Sequence, residues 1–143
     1  MDDRFTPRPV AGWYMPAAIA SLLFMLLGCA ALVVHITVDP AGLPLDQRIL
    51  LQAEPRWVLE ASGVAFVAGA LGCLLLVFRR RAAQPLMLIS LLAMLVWLAG
   101  MFASPSFRDL LSTDEVAISL IIVALGWTIY WFARHSRQRG WLR

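Results

Sequence analysis

The sequence predicts an all-α fold, a bundle of four transmembrane helices with both ends on the cytoplasmic side and a short amphipathic surface helix in the first outer loop. Three observations carry that prediction. The chain has 143 residues, 61% hydrophobic and 15% charged, whereas soluble domains are roughly 45–50% apolar and about 25% charged. A domain of this length has too little interior to hide so much apolar surface, so lipid has to be part of its solvent. The apolar residues fall into four blocks near the ~20 residues needed to cross a bilayer. The arginines also alternate with those blocks. Connectors on one side hold Arg4, Arg8, Arg79, Arg80, Arg81, Arg134, Arg137, Arg139 and Arg143, against Asp2 and Asp3. The other side holds Arg48, Arg56 and Arg108 against Asp39, Asp46, Glu54, Glu60, Asp109, Asp114 and Glu115. Basic loops stay in the cytoplasm, which places the chain in a bacterial inner (cytoplasmic) membrane as a multi-pass protein.

Taken in order, residues 1–11 are polar with Pro7 and Pro9, and read as a disordered leader followed by the interfacial anchors Trp13 and Tyr14. Span one covers about 16–38. Pro16 suits a first helical turn, where its missing N–H is not needed, and Asp39-Pro40-Ala41-Gly42 supplies a turn. In the long outer connector, Leu45, Ile49 and Leu50 recur at helical spacing among polar residues, which predicts a helix over 44–53 lying on the membrane surface. Span two covers about 57–78, and Arg79-Arg80-Arg81 turns the chain. Pro85 opens span three, about 85–103, which Ser104-Pro105-Ser106 breaks. Ser112-Thr113-Asp114-Glu115 has capping-box spacing and introduces span four, about 116–133. The whole chain, 1–143, is one membrane domain. Leu26-Leu27-Gly28-Cys29 looks like a lipoprotein cleavage box, but so does Ala70-Leu71-Gly72-Cys73. The residues after Cys29 also stay apolar to Val38, where a cleaved signal turns polar. Span one therefore reads as retained.

Helix packing is written in a stripe of small residues. Ala61, Ala65, Gly69 and Cys73 recur every four residues along span two, widened by Gly72. Small residues let helix backbones approach in lipid, where dispersion drives association. The stripe predicts span two as the central helix, packed on span one near Gly28 and Ala31. Cys29 and Cys73 lie at depths about 10 Å apart on a 1.5 Å rise, which excludes a disulfide and leaves them as packing residues.

Chemistry is sparse. His35 and Glu60 each sit one turn inside the outer end of a span, and with Asp39, Arg56 and Trp57 they could line a shallow outer-rim pocket. A more ordinary use has Glu60 snorkelling to the interface and His35 bonding a loop carbonyl. Ser21, Ser90, Ser119 and Thr128 suit carbonyl bonds one turn back. Arg79, Arg80 and Arg81 are candidates for lipid headgroups as well as a topology signal. No catalytic residue, cofactor ligand or metal-spaced cluster emerges. A bis-His haem needs a second imidazole in a span, a quinone-linked thiol oxidase needs loop cysteine pairs, and a small multidrug exporter needs a mid-membrane acid. The high pI follows from topology, so nucleic acid is not an expected partner. The expected partners are the lipid bilayer and either another membrane protein or further copies of the chain.

From Leu43 to about Ala103 the chain resembles a group of small, uncharacterised four-span bacterial membrane proteins that automatic labelling often calls "sugar transporter". The resemblance rests on Leu45-Asp46-Gln47-Arg48 leading to Pro55-Arg56-Trp57, on Gly69-Ala70-Leu71-Gly72-Cys73-Leu74-Leu75-Leu76 with the arginine turn and Ala82, and on Ser90-Leu91-Leu92. It implies a four-helix bundle with both ends inside, and no demonstrated substrate. A sugar path needs polar and aromatic groups at mid-membrane, which these spans lack. The His35–Val38 end is also more apolar than the resemblance leads one to expect. The function expected is non-enzymatic, an accessory or self-associating helical bundle. The alternative is a small transporter or permease component working as a homo-oligomer.

Overall fold

A computed structural model describes residues 9–143. Arg4, Arg8, Asp2 and Asp3, which enter the charge argument, lie outside the described residues, as does most of the polar leader. The part that is described departs from a disordered reading, because Val10 and Ala11 pack against the core. The described chain is all helical. Helices α1 (Tyr14–Thr37), α3 (Arg56–Val77), α4 (Ala83–Ala103) and α6 (Thr113–Gln138) are long and apolar enough to cross a membrane. Helices α2 (Leu45–Ala53) and α5 (Pro105–Arg108) and a 3-10 turn (Pro40–Gly42) occupy the connections. At 1.5 Å per residue, the 24, 22, 21 and 26 residues of the long helices reach roughly 32–39 Å, enough for a hydrocarbon layer of about 30 Å. This is the architecture of a multi-pass membrane protein.

Helix ends follow local chemistry. α6 departs furthest from the sequence expectation of 116–133. Its start is earlier because both halves of the capping box form. The Ser112 side chain accepts from the Glu115 N–H, and the Glu115 carboxylate accepts from the Ser112 N–H at 2.7 Å. The helix therefore begins at Thr113, before the first apolar residue. Its end is later because Arg134–Gln138, although polar, present Ser136 to the core beside Phe132 and Ala133. The chain then reverses at Gly140, whose φ of +72° suits glycine. The break expected at Ser104-Pro105-Ser106 does end α4. Pro105 then opens one further helical turn, and Phe107 of that turn is buried. α2 falls within one residue of expectation, with Pro44 as its N-cap and the Asp39 carboxylate closing the preceding turn on the Ala41 N–H at 2.9 Å.

The long helices run up and down, with neighbours in the order α1, α3, α4, α6. The small-residue stripe lies in the seams as expected. Ala65, Gly69, Gly72 and Cys73 are buried and Ala61 is half-buried. A Cβ placed on Gly69 would lie 2.6 Å from the Met25 sulfur of α1 and 2.8 Å from the Ser90 hydroxyl of α4. Gly69 therefore marks the point where three helices meet. On the α1 side, the Phe66 ring covers Gly28. α3 is not the single central helix, because α4 also has a packed neighbour on each side. Its Ser90 hydroxyl donates to the Ala65 carbonyl at 2.6 Å, across the seam rather than one turn back. Ser21, Ser119 and Thr128 do make the expected bond to a carbonyl four residues back. Cys29 and Cys73 are both free. α1 is the least enclosed span, and Leu23, Leu27 and Val34 are each more than 60% exposed on it.

The two outermost helices, α1 and α6, meet at the end of the bundle that carries the termini. There Trp13 and Tyr14 pack on Phe132 and Trp141, with ring centroids 5.3–5.8 Å apart. The buried Tyr14 hydroxyl donates to the Leu76 carbonyl at 2.6 Å. The last residue is held by the arginine turn through backbone bonds, Arg143 N–H to the Arg79 carbonyl at 2.6 Å and Arg81 N–H to the Arg143 carbonyl at 3.0 Å. Arg79 is in the left-handed region, φ +56°, and its guanidinium sits 5.7 Å from the centre of the Tyr14 ring. Arg80 and Arg81 are exposed.

Candidate functional site: a cleft at the loop end

At the opposite end, α1 and α6 separate. The space between them is a cleft of about 500 Å³, within the roughly 300–1,000 Å³ usual for small-molecule sites. α1 contributes Ala31, Val34, His35 and Val38, and α2 contributes Gln47, Leu50 and Leu51, with Leu43 before it and Glu54 at its end. Trp97 and Met101 of α4 form the back, Phe107 and Leu111 the rim, and Glu115, Ile118, Ser119 and Ile122 of α6 the far wall. From Val38 to Ala31, and from Glu115 to Ile122, the wall descends about 10 Å at 1.5 Å per residue. A second space of about 220 Å³ lies between α1 and α3, lined by Gly28, Leu32, Leu59, Ser62 and Phe66. The two cavities share Ala31, His35, Glu54, Trp97 and Ile122.

The polar centre of this wall is a pair. His35 Nε2 lies 2.7 Å from Glu54 Oε2. A carboxylate only accepts, so the imidazole donates from Nε2. The Glu54 side chain is 12% exposed and that of His35 40%. The local sequence explains how they meet. The 3-10 turn at Pro40–Gly42 reverses the chain after α1, the nine residues of α2 carry it back, and Pro55 ends α2 and starts α3. Glu54, the C-cap residue of α2, is thereby set beneath the last turn of α1. The remaining charge in the lining is acidic. Glu115 lines the cleft while its Oε2 accepts from the Ser112 backbone and hydroxyl at 2.7 and 3.0 Å. Among the described residues no arginine lines either cavity, and Arg48, Arg56 and Arg108 all lie outside the linings.

Of the outer-rim residues expected to converge, only His35 reaches the cleft. Its partner is Glu54 and not Glu60, which is exposed and lines neither cavity. Asp39 is used by its own turn. Arg56 is exposed, and the Trp57 ring lies against Gly100 on the α3–α4 seam. The reason is geometric. Matched depth on neighbouring helices places His35 and Glu60 at one level, but facing is set by helix rotation, and α2 inserts a closer carboxylate. Equally, α2 does not present one continuous apolar stripe to a surface. Leu45 and Ile49 are exposed, whereas Leu50 and Leu51 turn toward the cleft. A sequence signal for Glu54 did exist, since an acid held between a short helix and a proline has a fixed position, but its partner could not be read from the chain.

Among the described residues no group of three or more His, Cys, Asp or Glu side chains is gathered in metal-binding range. The arrangement offers binding chemistry, an apolar trough with one hydrogen-bonded imidazole–carboxylate pair on its wall. No family model matches the chain, and no curated protein or solved structure is similar to it, so the cleft itself carries the functional argument.

Proposed function

We propose that this protein is a non-enzymatic, multi-pass protein of the bacterial inner membrane that acts by binding, with both termini in the cytoplasm and the cleft toward the outer leaflet. The orientation rests on the arginine distribution. The binding role rests on one observation, the loop-end cleft with the His35–Glu54 pair on its wall. It is deep enough to take part of a ligand out of lipid and polar enough at one point to orient it. The exposed apolar face of α1 leaves room for a membrane-protein partner or a second copy, so the chain serves as an accessory or self-associating bundle.

A second reading, a small transporter component acting as a homo-oligomer, draws on the two cavities that meet at the His35–Glu54 pair. A passage would then run between lobes that the pair separates.

Native mass spectrometry of the full chain extracted in mild detergent, combined with crosslinking in membranes, tests the proposal. The expected result is a bound small amphiphile, a protein partner or a defined oligomer. A bare monomer with no bound molecule would count against it. Uptake into vesicles that is lost with His35→Ala and Glu54→Ala would favour the second reading.

A further inference from the structure

We propose that the loop-end cleft selects an amphiphile with an apolar body and an amine or other cationic head group, and discriminates against anionic amphiphiles. The inference rests on the binding role above and deepens it by assigning the ligand class.

The lining has two requirements to satisfy at once. Val34, Leu50, Met101 and Ile118 make most of the wall apolar, so the body of the occupant is apolar. The cleft lies at the end of the spans and descends about 10 Å along α1 and α6, so the occupant straddles the boundary between hydrocarbon and water. That location suits a chain with a head group at one end.

The head is chosen by charge. The ionisable groups that face the cleft are His35 from α1, Glu54 from α2 and Glu115 from α6, and α3, α4 and α5 add none. With the imidazole neutral the lining is doubly negative, and with it protonated it still carries net negative charge. In the mostly shielded setting of Glu54, an anionic head would meet a like charge in reduced dielectric. An ammonium would find an acceptor, because Glu54 Oε2 is engaged by His35 while Oε1 has no hydrogen-bond partner among the described residues. Trp97 lines both cavities together with the pair, and an indole attracts a cation placed over its ring. A charge-assisted bond of this kind corresponds to a preference of about tenfold.

The test uses three probes with the same dodecyl chain and the same diazirine near the head, differing only in ending as amine, alcohol or carboxylate. Each is photolysed with the full chain in phosphatidylcholine nanodiscs, and labelled peptides are mapped by mass spectrometry. The expected order on peptides from α1, α2 and the start of α6 is amine above alcohol above carboxylate, with about tenfold between the extremes. Glu54→Gln should bring the amine down to the level of the alcohol. Ala31→Trp, which fills the cleft and leaves the carboxylate in place, should lower all three. Equal labelling by the three heads, or a carboxylate that labels best, overturns the head-group assignment and leaves the binding role standing. Absence of cleft labelling by every probe overturns both. The order of heads on the unaltered protein decides the matter even where Glu54→Gln fails to fold.

Discussion

The imidazole of His35 is hydrogen-bonded to the carboxylate of Glu54 across 2.7 Å, tying the last turn of α1 to the end of α2. That bond closes a loop of nineteen residues in sequence separation and joins α1 to a helix that also touches α5. It also sets the only acid–imidazole contact among the described residues on the wall common to two cavities.

A double-mutant cycle on this pair should show coupling. His35→Ala and Glu54→Ala, singly and together, are expected to give an interaction energy of about 1 kcal/mol in detergent unfolding, modest because His35 is 40% exposed. The companion cycle of His35→Ala with Glu60→Ala should be additive. Coupling between His35 and Glu60 with none to Glu54 would reverse the assignment.

Gly69→Leu should destabilise the bundle sharply. A side chain there meets Met25 and Ser90 from two helices at once, and overpacking of this kind costs about 1–3 kcal/mol. A fall in melting temperature of roughly 5 °C or more is expected in mild detergent. Gly42→Ala, where an added Cβ meets nothing within 4 Å, should leave the midpoint unchanged and serves as the control.

Trp141→Ala should loosen the terminal end. Trp141 is 7% exposed and contacts Trp13, Tyr14 and His135, and α1 meets α6 through this aromatic cluster. A loss of about 3 kcal/mol is expected, together with faster hydrogen exchange at Arg143 N–H, whose bond to Arg79 depends on the docked tail. Exchange at the Ser112–Glu115 cap, at the far end of α6, should not change.

A reporter fused after Arg143 should be active only in the cytoplasm, and cysteines introduced at Asp46 and Asp109 should react with impermeant thiol reagents added outside. The opposite labelling would invert the orientation and with it the side from which the cleft is reached.

Four spans, their approximate limits, the turn at Arg79–Arg81 and the small-residue seam were all legible in the chain, because each depends on nearby residues. Lipid selects for local hydropathy, a capping box acts over three residues, and a stripe spaced by four lies on one helix face whatever it packs against. Helix rotation, the neighbour order that makes α4 as central as α3, the bond from Ser90 to Ala65, and the docking of Trp141 and Leu142 against Tyr14 and its neighbours were decided only in three dimensions. So was the candidate site. Matched depth suggested His35 with Glu60, but a turn and nine helical residues fold Glu54 under His35 first, and the space left where α1 and α6 part belongs to no single segment of sequence.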